Sequence, residues 1–213
     1  MLTIDIYADI VCPWCVIGEA RLERALAARP ELEVTRRWRP FQLRPEMPAG
    51  GLPWRDFAEE KFGGMRNAEA AFAQVAQLAE AEGLTFDFGR VASAPNTVNA
   101  HRLVLLASQQ GKTWEVAHAL FRGYFAEGRN LNALDDLLAV AQETGVEEAR
   151  ATLESDALTE EVWESQKEAQ RLGISGVPFY VFNGMHGLSG AQPVETFLQV
   201  LDALAQQEAG VPA

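Results

Sequence analysis

Apolar and polar side chains alternate at the beginning of the chain with the period of a β-strand. The alternation covers residues 2–8 and gives this segment one apolar face. A helical pattern then extends from Pro13 to near Pro30, and proline suits the first turn of a helix because its missing N–H would have no partner there. A second strand is predicted over residues 32–41, which completes a strand–helix–strand unit.

The middle of the chain has a helical period instead. After a loop rich in proline and glycine over residues 44–53, apolar side chains recur at helical spacing almost throughout residues 54–172. Capping residues and glycine stops divide part of this segment into predicted helices. These helices cover residues 96–110, 113–128, 132–145 and 159–173.

The strand period returns near the end of the chain. Residues 177–182 are rich in aromatic and β-branched side chains, and Asn183-Gly184 is a strong hairpin signal, so a second strand is predicted through Leu188. Pro193 then begins a final helix with one apolar face. This segment therefore predicts strand–strand–helix.

These elements predict an α/β fold in which both ends of the chain contribute to one sheet. Residues 1–45 and 174–213 form the predicted sheet domain, and residues 46–173 form a large all-helical insertion between its two parts. The core of the sheet and the core of the helices are expected to be continuous with each other.

Composition and charge exclude several classes of function. The chain has 213 residues, 48% of them hydrophobic, and its 18 basic and 30 acidic side chains give a formal charge of −12. This acidic balance disfavours nucleic acid and anionic membranes as partners, because both attract basic surfaces. No apolar run approaches the roughly 20 residues of a membrane-spanning helix. Asp5 and Asp9 lie where a secretory signal would be apolar, so a cytoplasmic location is predicted.

The chemistry is predicted to reside in the two cysteines, which form the motif Cys12-Pro13-Trp14-Cys15 at the start of the first helix. Unpaired N–H groups and the positive end of the helix dipole favour the thiolate at Cys12. Cys15, one turn later, lies on the same face but is expected to be more covered. The arrangement predicts a redox-active disulfide pair with Cys12 as nucleophile and Cys15 as resolving thiol, and no other cofactor.

Half of a zinc site is the alternative interpretation of the same motif. Zinc would need two more ligands, usually a second cysteine pair or closely spaced histidines. The chain has no other cysteine, and His101, His118 and His186 show no ligand spacing. The sequence therefore favours redox chemistry and predicts no metal site.

Val177-Pro178 is the second chemical feature. Proline cannot donate to a sheet ladder, so it is confined to an edge or a bend. If the peptide bond is cis, it can bring the backbone of Val177 against Cys12, where it could pair with an extended substrate. An ordinary trans proline at the start of an edge strand is the alternative, and taken alone it is the more frequent case.

Together these motifs resemble the DsbA-like branch of the thioredoxin superfamily, and within it the FrnE-like dithiol–disulfide oxidoreductases. The resemblance covers residues 9–193, and Val16, where a tyrosine is expected, departs from it beside Cys15. The segments that carry the resemblance are Asp9-Ile10-Val11-Cys12-Pro13-Trp14-Cys15, Ile17-Gly18, Trp38-Arg39-Pro40-Phe41-Gln42-Leu43 with Pro45, Asn96-Thr97 with Ala100-His101-Arg102-Leu103, Gly173-Ile174-Ser175-Gly176-Val177-Pro178-Phe179 and Ser189-Gly190-Ala191-Gln192-Pro193.

The resemblance implies a thioredoxin fold with an all-helical insertion, a cis Pro178 and disulfide exchange on proteins or small thiols. Trp14, Val177 and Pro178 are the candidate substrate contacts next to the cysteines. Asn96 and His101, near the start of an insertion helix, are further candidates for the wall above Cys12.

Some of these polar residues can also be interpreted as structural and not functional. Asn96 and Thr97 can cap a helix, with His101 and Arg102 as polar residues on its exposed face. Asp9 is interpreted as a solvated loop residue, and an influence on the protonation of Cys15 is the alternative. The aromatic residues of the insertion fall mostly at helical spacing, which predicts core or groove lining.

The predicted function is a cytoplasmic thiol–disulfide oxidoreductase, a reductase or isomerase rather than a net oxidant, because the cytosolic glutathione pool is reducing. Expected partners are disulfide-containing proteins or small thiols such as glutathione, and a homodimer is left open. One alternative is a glutathione-dependent isomerase of the 2-hydroxychromene-2-carboxylate isomerase type, which normally has serine at the position of Cys12. Another is a redox-linked chaperone or peptide-binding module, which would bind unfolded protein without its cysteines.

Overall fold

The computed structural model describes residues 1–208, and its elements follow the order expected from the sequence. The strands are β1 (Leu2–Ala8), β2 (Val34–Pro40), β3 (Leu52–Pro53), β4 (Ser93–Ala94), β5 (Phe179–Phe182) and β6 (His186–Ser189). The α-helices are α1 (Pro13–Ala27), α2 (Trp54–Phe62), α3 (Met65–Ala81), α4 (Val98–Gln109), α5 (Thr113–Arg122), α6 (Leu134–Thr144), α7 (Ala149–Leu153), α8 (Thr159–Arg171) and α9 (Val194–Glu208).

The sheet has four strands in the order β2-β1-β5-β6. β1 is parallel to β2, to which α1 connects it, and antiparallel to β5, which forms a hairpin with β6. Ile4 and Ile6 belong to the main core, whereas Tyr7 joins a separate cluster with Ala169 of α8. Strand alternation therefore gives β1 two covered faces, which explains why it is buried almost throughout.

Gly18 allows α1 to approach the sheet closely. A Cβ atom at this position would lie 2.3 Å from the Tyr180 hydroxyl oxygen and 3.1 Å from Cγ of Pro178. Only glycine fits this contact without displacing its neighbours. The beginning of α1, which carries both cysteines, is thereby held against the segment that precedes β5.

The insertion is helical except for one short ribbon. β3 pairs antiparallel with β4, so the expectation of an all-helical insertion is corrected in this detail. The ribbon forms where two extended connections lie side by side, and each is too short to be recognised by alternation. A π-helical turn, Gly123–Glu127, prolongs α5 up to Gly128, and α7 is a separate short helix that the sequence did not predict.

One continuous core joins the sheet and the insertion. Its buried members include Ile4 of β1, Leu103 of α4, Leu120 of α5 and Phe197 of α9. The division of the chain into a sheet domain and an insertion, with boundaries at residues 45 and 173, stays a prediction. Across residues 1–208, none of the helices combines the length and apolar character needed to cross a membrane.

Candidate active site

Cys12 and Cys15 lie at the N-terminal end of α1. Cys12 is the N-cap residue, with extended backbone angles of φ −95° and ψ 109°, and Pro13 begins the helix. The N–H of Cys12 donates to the Asp9 carbonyl at 3.0 Å, and the N–H of Cys15 donates to the Cys12 carbonyl at 3.0 Å. The first turn of α1 contains no acidic side chain, so nothing in that turn offsets the positive end of the helix dipole.

Both cysteines are free thiols, and both are almost fully covered. Cys12 is 3% exposed and Cys15 is 2% exposed, so Cys15 is not appreciably more covered than Cys12, in contrast to the expectation from the sequence. The difference lies in their surroundings, because Cys12 borders a cavity whereas Cys15 packs behind it. Burial raises the pKa of the Cys15 thiol well above its ordinary value, and the neighbouring Cys12 sulfur acts in the same direction.

The segment before β5 brings Val177 against Cys12. The Val177–Pro178 peptide bond is cis, as the resemblance implied. The Cys12 thiol donates a hydrogen bond to the Val177 carbonyl oxygen, with a sulfur–oxygen distance of 3.5 Å. Val177 borders the cavity, while the ring of Pro178 lies near Gly18 of α1. Two segments from opposite ends of the chain therefore meet at the nucleophile candidate.

A largely apolar cavity of about 350 Å³ lies beside Cys12. Trp14 and Val177 belong to the lining of this cavity, as do the basic residues Arg44 and Lys61. Cavities of this size hold small molecules or single side chains. The aromatic part of the wall comes from the insertion and consists of Trp54, Phe57, Phe62, Phe72, Phe88, Tyr124 and Phe125.

A buried polar connection lies beneath the cysteine motif. The indole N–H of Trp38 donates to Nδ1 of His101 at 3.3 Å, which assigns the proton of a neutral imidazole to Nε2. His101 Nε2 lies 3.4 Å from Asp9 Oδ1, although the pair lacks the geometry of a hydrogen bond. The other carboxylate oxygen of Asp9 accepts from the N–H of Leu43 at 2.8 Å.

Asp9 is therefore not the solvated loop residue that the sequence suggested. Its side chain is 1% exposed, because the carboxylate lies against His101 on one side and accepts from the N–H of Leu43 with its other oxygen. Asp9 also affects the protonation of Cys15 in two opposite ways. A hydrogen bond from its backbone lowers the pKa of Cys15, whereas its negative charge raises it, and both effects are smaller than that of burial.

Asn96 and His101 do not line the cavity, in contrast to the expectation that they meet substrate there. Asn96 Nδ2 donates to the Met47 carbonyl at 2.7 Å, and its Oδ1 accepts from the N–H of Val98 at 3.0 Å, so this side chain fastens the start of α4. His101 is fully buried because it faces Asp9. Thr97 does line the cavity.

The sequence did not determine which aromatic residues line the cavity. Tyr124 is an example, since its hydroxyl donates to the Ser93 carbonyl at 3.0 Å and its ring borders the cavity. Aromatic side chains at helical spacing were the available signal, and that signal is the same for a closed core and for a cavity wall.

Alkylation of the reduced chain is expected to label Cys12 before Cys15. Cys12 borders the cavity, whereas Cys15 is enclosed and burial raises its pKa. Short pulses of iodoacetamide at several pH values, followed by peptide mass spectrometry, measure the order of labelling. The Cys12→Ser variant is the control for intrinsic reactivity of Cys15. Faster labelling of Cys15 in the unaltered chain would reverse the assignment.

Two thiols at a helix N-terminus, opposed by a cis-proline segment on a four-stranded sheet, define a dithiol protein of the thioredoxin fold. The chain belongs to the family of the DSBA-like thioredoxin domain, which matches residues 3–202. This membership places it among the DsbA-like oxidoreductases.

Solved structures support this placement. A probable DsbA oxidoreductase from Streptomyces coelicolor is 35% identical with a TM-score of 0.85, over 100% of this chain and 92% of that one. The cytosolic disulfide reductase DsbM from Pseudomonas aeruginosa is 22% identical with a TM-score of 0.65, over 96% and 99%. A 2-hydroxychromene-2-carboxylate isomerase is 16% identical with a TM-score of 0.75, over 99% and 100%. The last two likenesses concern the fold.

Proposed function

We propose that this protein is a thiol–disulfide oxidoreductase that reduces or isomerises disulfides, with Cys12 as the nucleophile and Cys15 as the resolving thiol. The observation that carries the proposal is the position of Cys12, which caps α1 and borders the cavity while Cys15 lies enclosed behind it. The Cys12–Cys15 pair provides both electrons, so the proposal needs no bound cofactor.

In the reducing direction, the Cys12 thiolate attacks one sulfur of a substrate disulfide, and the other substrate sulfur leaves and takes up a proton. Cys15 then loses its proton and attacks Sγ of Cys12, which releases the second substrate thiol. Two electrons pass to the substrate, and a Cys12–Cys15 disulfide remains. Two molecules of a small thiol such as glutathione would reduce this disulfide back to the dithiol and leave joined as their own disulfide.

The cavity favours substrates that carry an apolar or aromatic group next to the disulfide. Its lining is mostly apolar, and its volume of about 350 Å³ suits one side chain of a protein or a small organic disulfide. Lys61 would attract a carboxylate on the same substrate, whereas Arg44 is already paired with Glu46 and Glu60. An extended peptide would reach the backbone of Val177 at the edge of the cavity.

The proposal includes a cytoplasmic location. A reducing thiol pool keeps the Cys12–Cys15 pair as a dithiol, which is the form that reduces or isomerises substrates. The fold likeness to a cytosolic disulfide reductase supports this direction.

The test is a redox equilibrium with glutathione, followed by an insulin reduction assay. The pair is expected to cycle between dithiol and disulfide in glutathione buffers, as measured by the mass added on alkylation. The protein is also expected to accelerate the precipitation of insulin B chain in the presence of a reductant. A chain that forms no disulfide under oxidising glutathione, or gives no acceleration, contradicts the proposal.

A glutathione-dependent isomerase is the second candidate, favoured by an enclosed apolar cavity and by the fold likeness to a 2-hydroxychromene-2-carboxylate isomerase. That reaction has no use for a resolving thiol. An isomerase would therefore retain its activity in a Cys15→Ser variant, whereas a dithiol reductase would not. A chaperone, in turn, would bind unfolded protein in the absence of both cysteines.

A further inference from the structure

A second cavity, of about 570 Å³, lies between α1 and the end of α5. Its lining includes Glu19 and Glu23, which are one helical turn apart on α1 and therefore lie on the same side of the helix. His118 of α5 faces them. One ligand atom from each of these three side chains lies within 4.8 Å of the other two. The cysteines do not border this cavity.

Glu19 is a buried carboxylate with only half of its hydrogen-bonding capacity used. Its side chain is 6% exposed, Oε1 pairs with Arg36, and Oε2 has no hydrogen-bond partner. A buried charged oxygen without a partner costs free energy. The present surroundings therefore supply too little positive charge for this carboxylate.

Arg36 compensates for only one of the two carboxylates. Besides its contact with Glu19, Arg36 Nη1 lies 3.4 Å from Oε1 of Glu23, and its guanidinium carbon is 4.3 Å from the ring centroid of Trp114. One guanidinium facing two ionised carboxylates leaves a net charge of −1. His118 Nε2 lies 3.8 Å from Oε1 of Glu23, which places the imidazole beside the same carboxylates.

We propose that Glu19, Glu23 and His118 bind a divalent transition-metal ion, with zinc as the best match. Zinc binds carboxylate oxygen and imidazole nitrogen together, whereas magnesium and calcium prefer oxygen ligands alone. The ion gives Oε2 of Glu19 its missing partner, while Oε1 remains with Arg36. Glu23 and His118 are each partly exposed, at 42% and 41% of their side chains, so both are free to adjust inward around the ion.

Such an ion would link the two parts of the fold. Glu19 and Glu23 belong to α1, which carries the cysteines, and His118 belongs to the insertion. The ligands come from helices distant in sequence, which is why the spacing of the histidines gave no indication of a metal site. Zinc binding is therefore expected to raise the midpoint of thermal unfolding.

The test uses the full chain with both cysteines replaced by serine, because a free dithiol binds zinc itself. After treatment with a chelator, calorimetric titration with zinc chloride is expected to show one ion per chain. Glu19→Gln or His118→Asn should weaken binding by more than about tenfold, since even residues that only orient a ligand contribute about 10- to 100-fold. Glu127→Gln is the matched control, because Glu127 borders the same cavity outside the cluster.

Absence of saturable zinc binding overturns the proposal. It is also overturned if Glu19→Gln and His118→Asn bind zinc as tightly as the parent, or if Glu127→Gln weakens binding as much as they do. Circular dichroism of each variant establishes that it is folded. Binding is measured without the thiols, so its failure is distinguishable from a failure of the redox function.

Discussion

Replacing Cys12 by serine is expected to abolish disulfide exchange, and replacing Cys15 by serine is expected to trap substrates as mixed disulfides. Without Cys12 no thiol borders the cavity, so the rate of insulin reduction should fall to that of the reductant alone. Without Cys15 the covalent intermediate on Cys12 has no internal thiol to resolve it. Non-reducing gels of Cys15→Ser incubated with oxidised protein should show adducts of higher mass.

The two single variants control for each other, and the double variant controls for both. Adducts of Cys15→Ser must disappear on treatment with dithiothreitol and must not form in Cys12→Ser/Cys15→Ser. The two-thiol mechanism fails if Cys15→Ser reduces insulin as fast as the unaltered protein. It also fails if Cys12→Ser keeps a substantial part of the rate.

The largest effect on stability is expected at Arg102, which is 4% exposed. Its Nε donates to the Ala157 carbonyl at 2.7 Å, and its Nη1 donates to Asn99 Oδ1 at 2.8 Å. Nη2 donates to the carbonyls of Thr152 and Ser155, which end α7 and begin the connection to α8. One guanidinium thus donates to these three carbonyl groups, of which that of Thr152 also accepts from the N–H and the hydroxyl of Ser155.

Arg102→Met is expected to lower the free energy of unfolding by about 3–5 kcal/mol, because it removes all the hydrogen bonds that this buried, charged donor makes to the segment after α7. Chemical denaturation of the reduced protein measures the loss. Arg150→Met is the matched control, since Arg150 of α7 is 61% exposed and pairs with Glu154 one turn away. It should change stability by less than about 0.5 kcal/mol. Equal losses in the two variants would contradict the role assigned to Arg102.

The sequence pattern around Arg102 and His101 did not reveal that both side chains are buried. Arg102 and His101 follow a helix cap and were interpreted as polar residues at the surface or in the wall above Cys12. Both are buried, one against carbonyl groups and the other between Trp38 and Asp9. A polar residue near a cap does not disclose whether the helix turns it towards solvent or towards a partner that can satisfy it.

The position of the cysteine motif was predictable because it depends on neighbouring residues and not on distant partners. Pro13 at the first helical position and the alternating strand before it are local features, and they place Cys12 at the end of a helix in any fold that retains them. The cis state of the Val177–Pro178 bond could not be predicted from local sequence features. It was expected because of the resemblance to DsbA-like proteins, since a single sequence favours the trans state at a proline.

Local patterns in the chain were sufficient for the order of the main strands and helices, but not for β3, β4 and α7. They were also sufficient for the dithiol at the start of α1 and the hairpin at Asn183-Gly184. These features depend on neighbouring residues and on the periods of strand and helix. Long-range packing was needed for the two cavities. The contact of Cys12 with Val177 joins α1 to the segment before β5, and the approach of His118 to Glu19 joins α1 to the insertion, so both depend on segments far apart in sequence. The burial that raises the pKa of Cys15 also depends on long-range packing, because side chains from many elements must surround one sulfur.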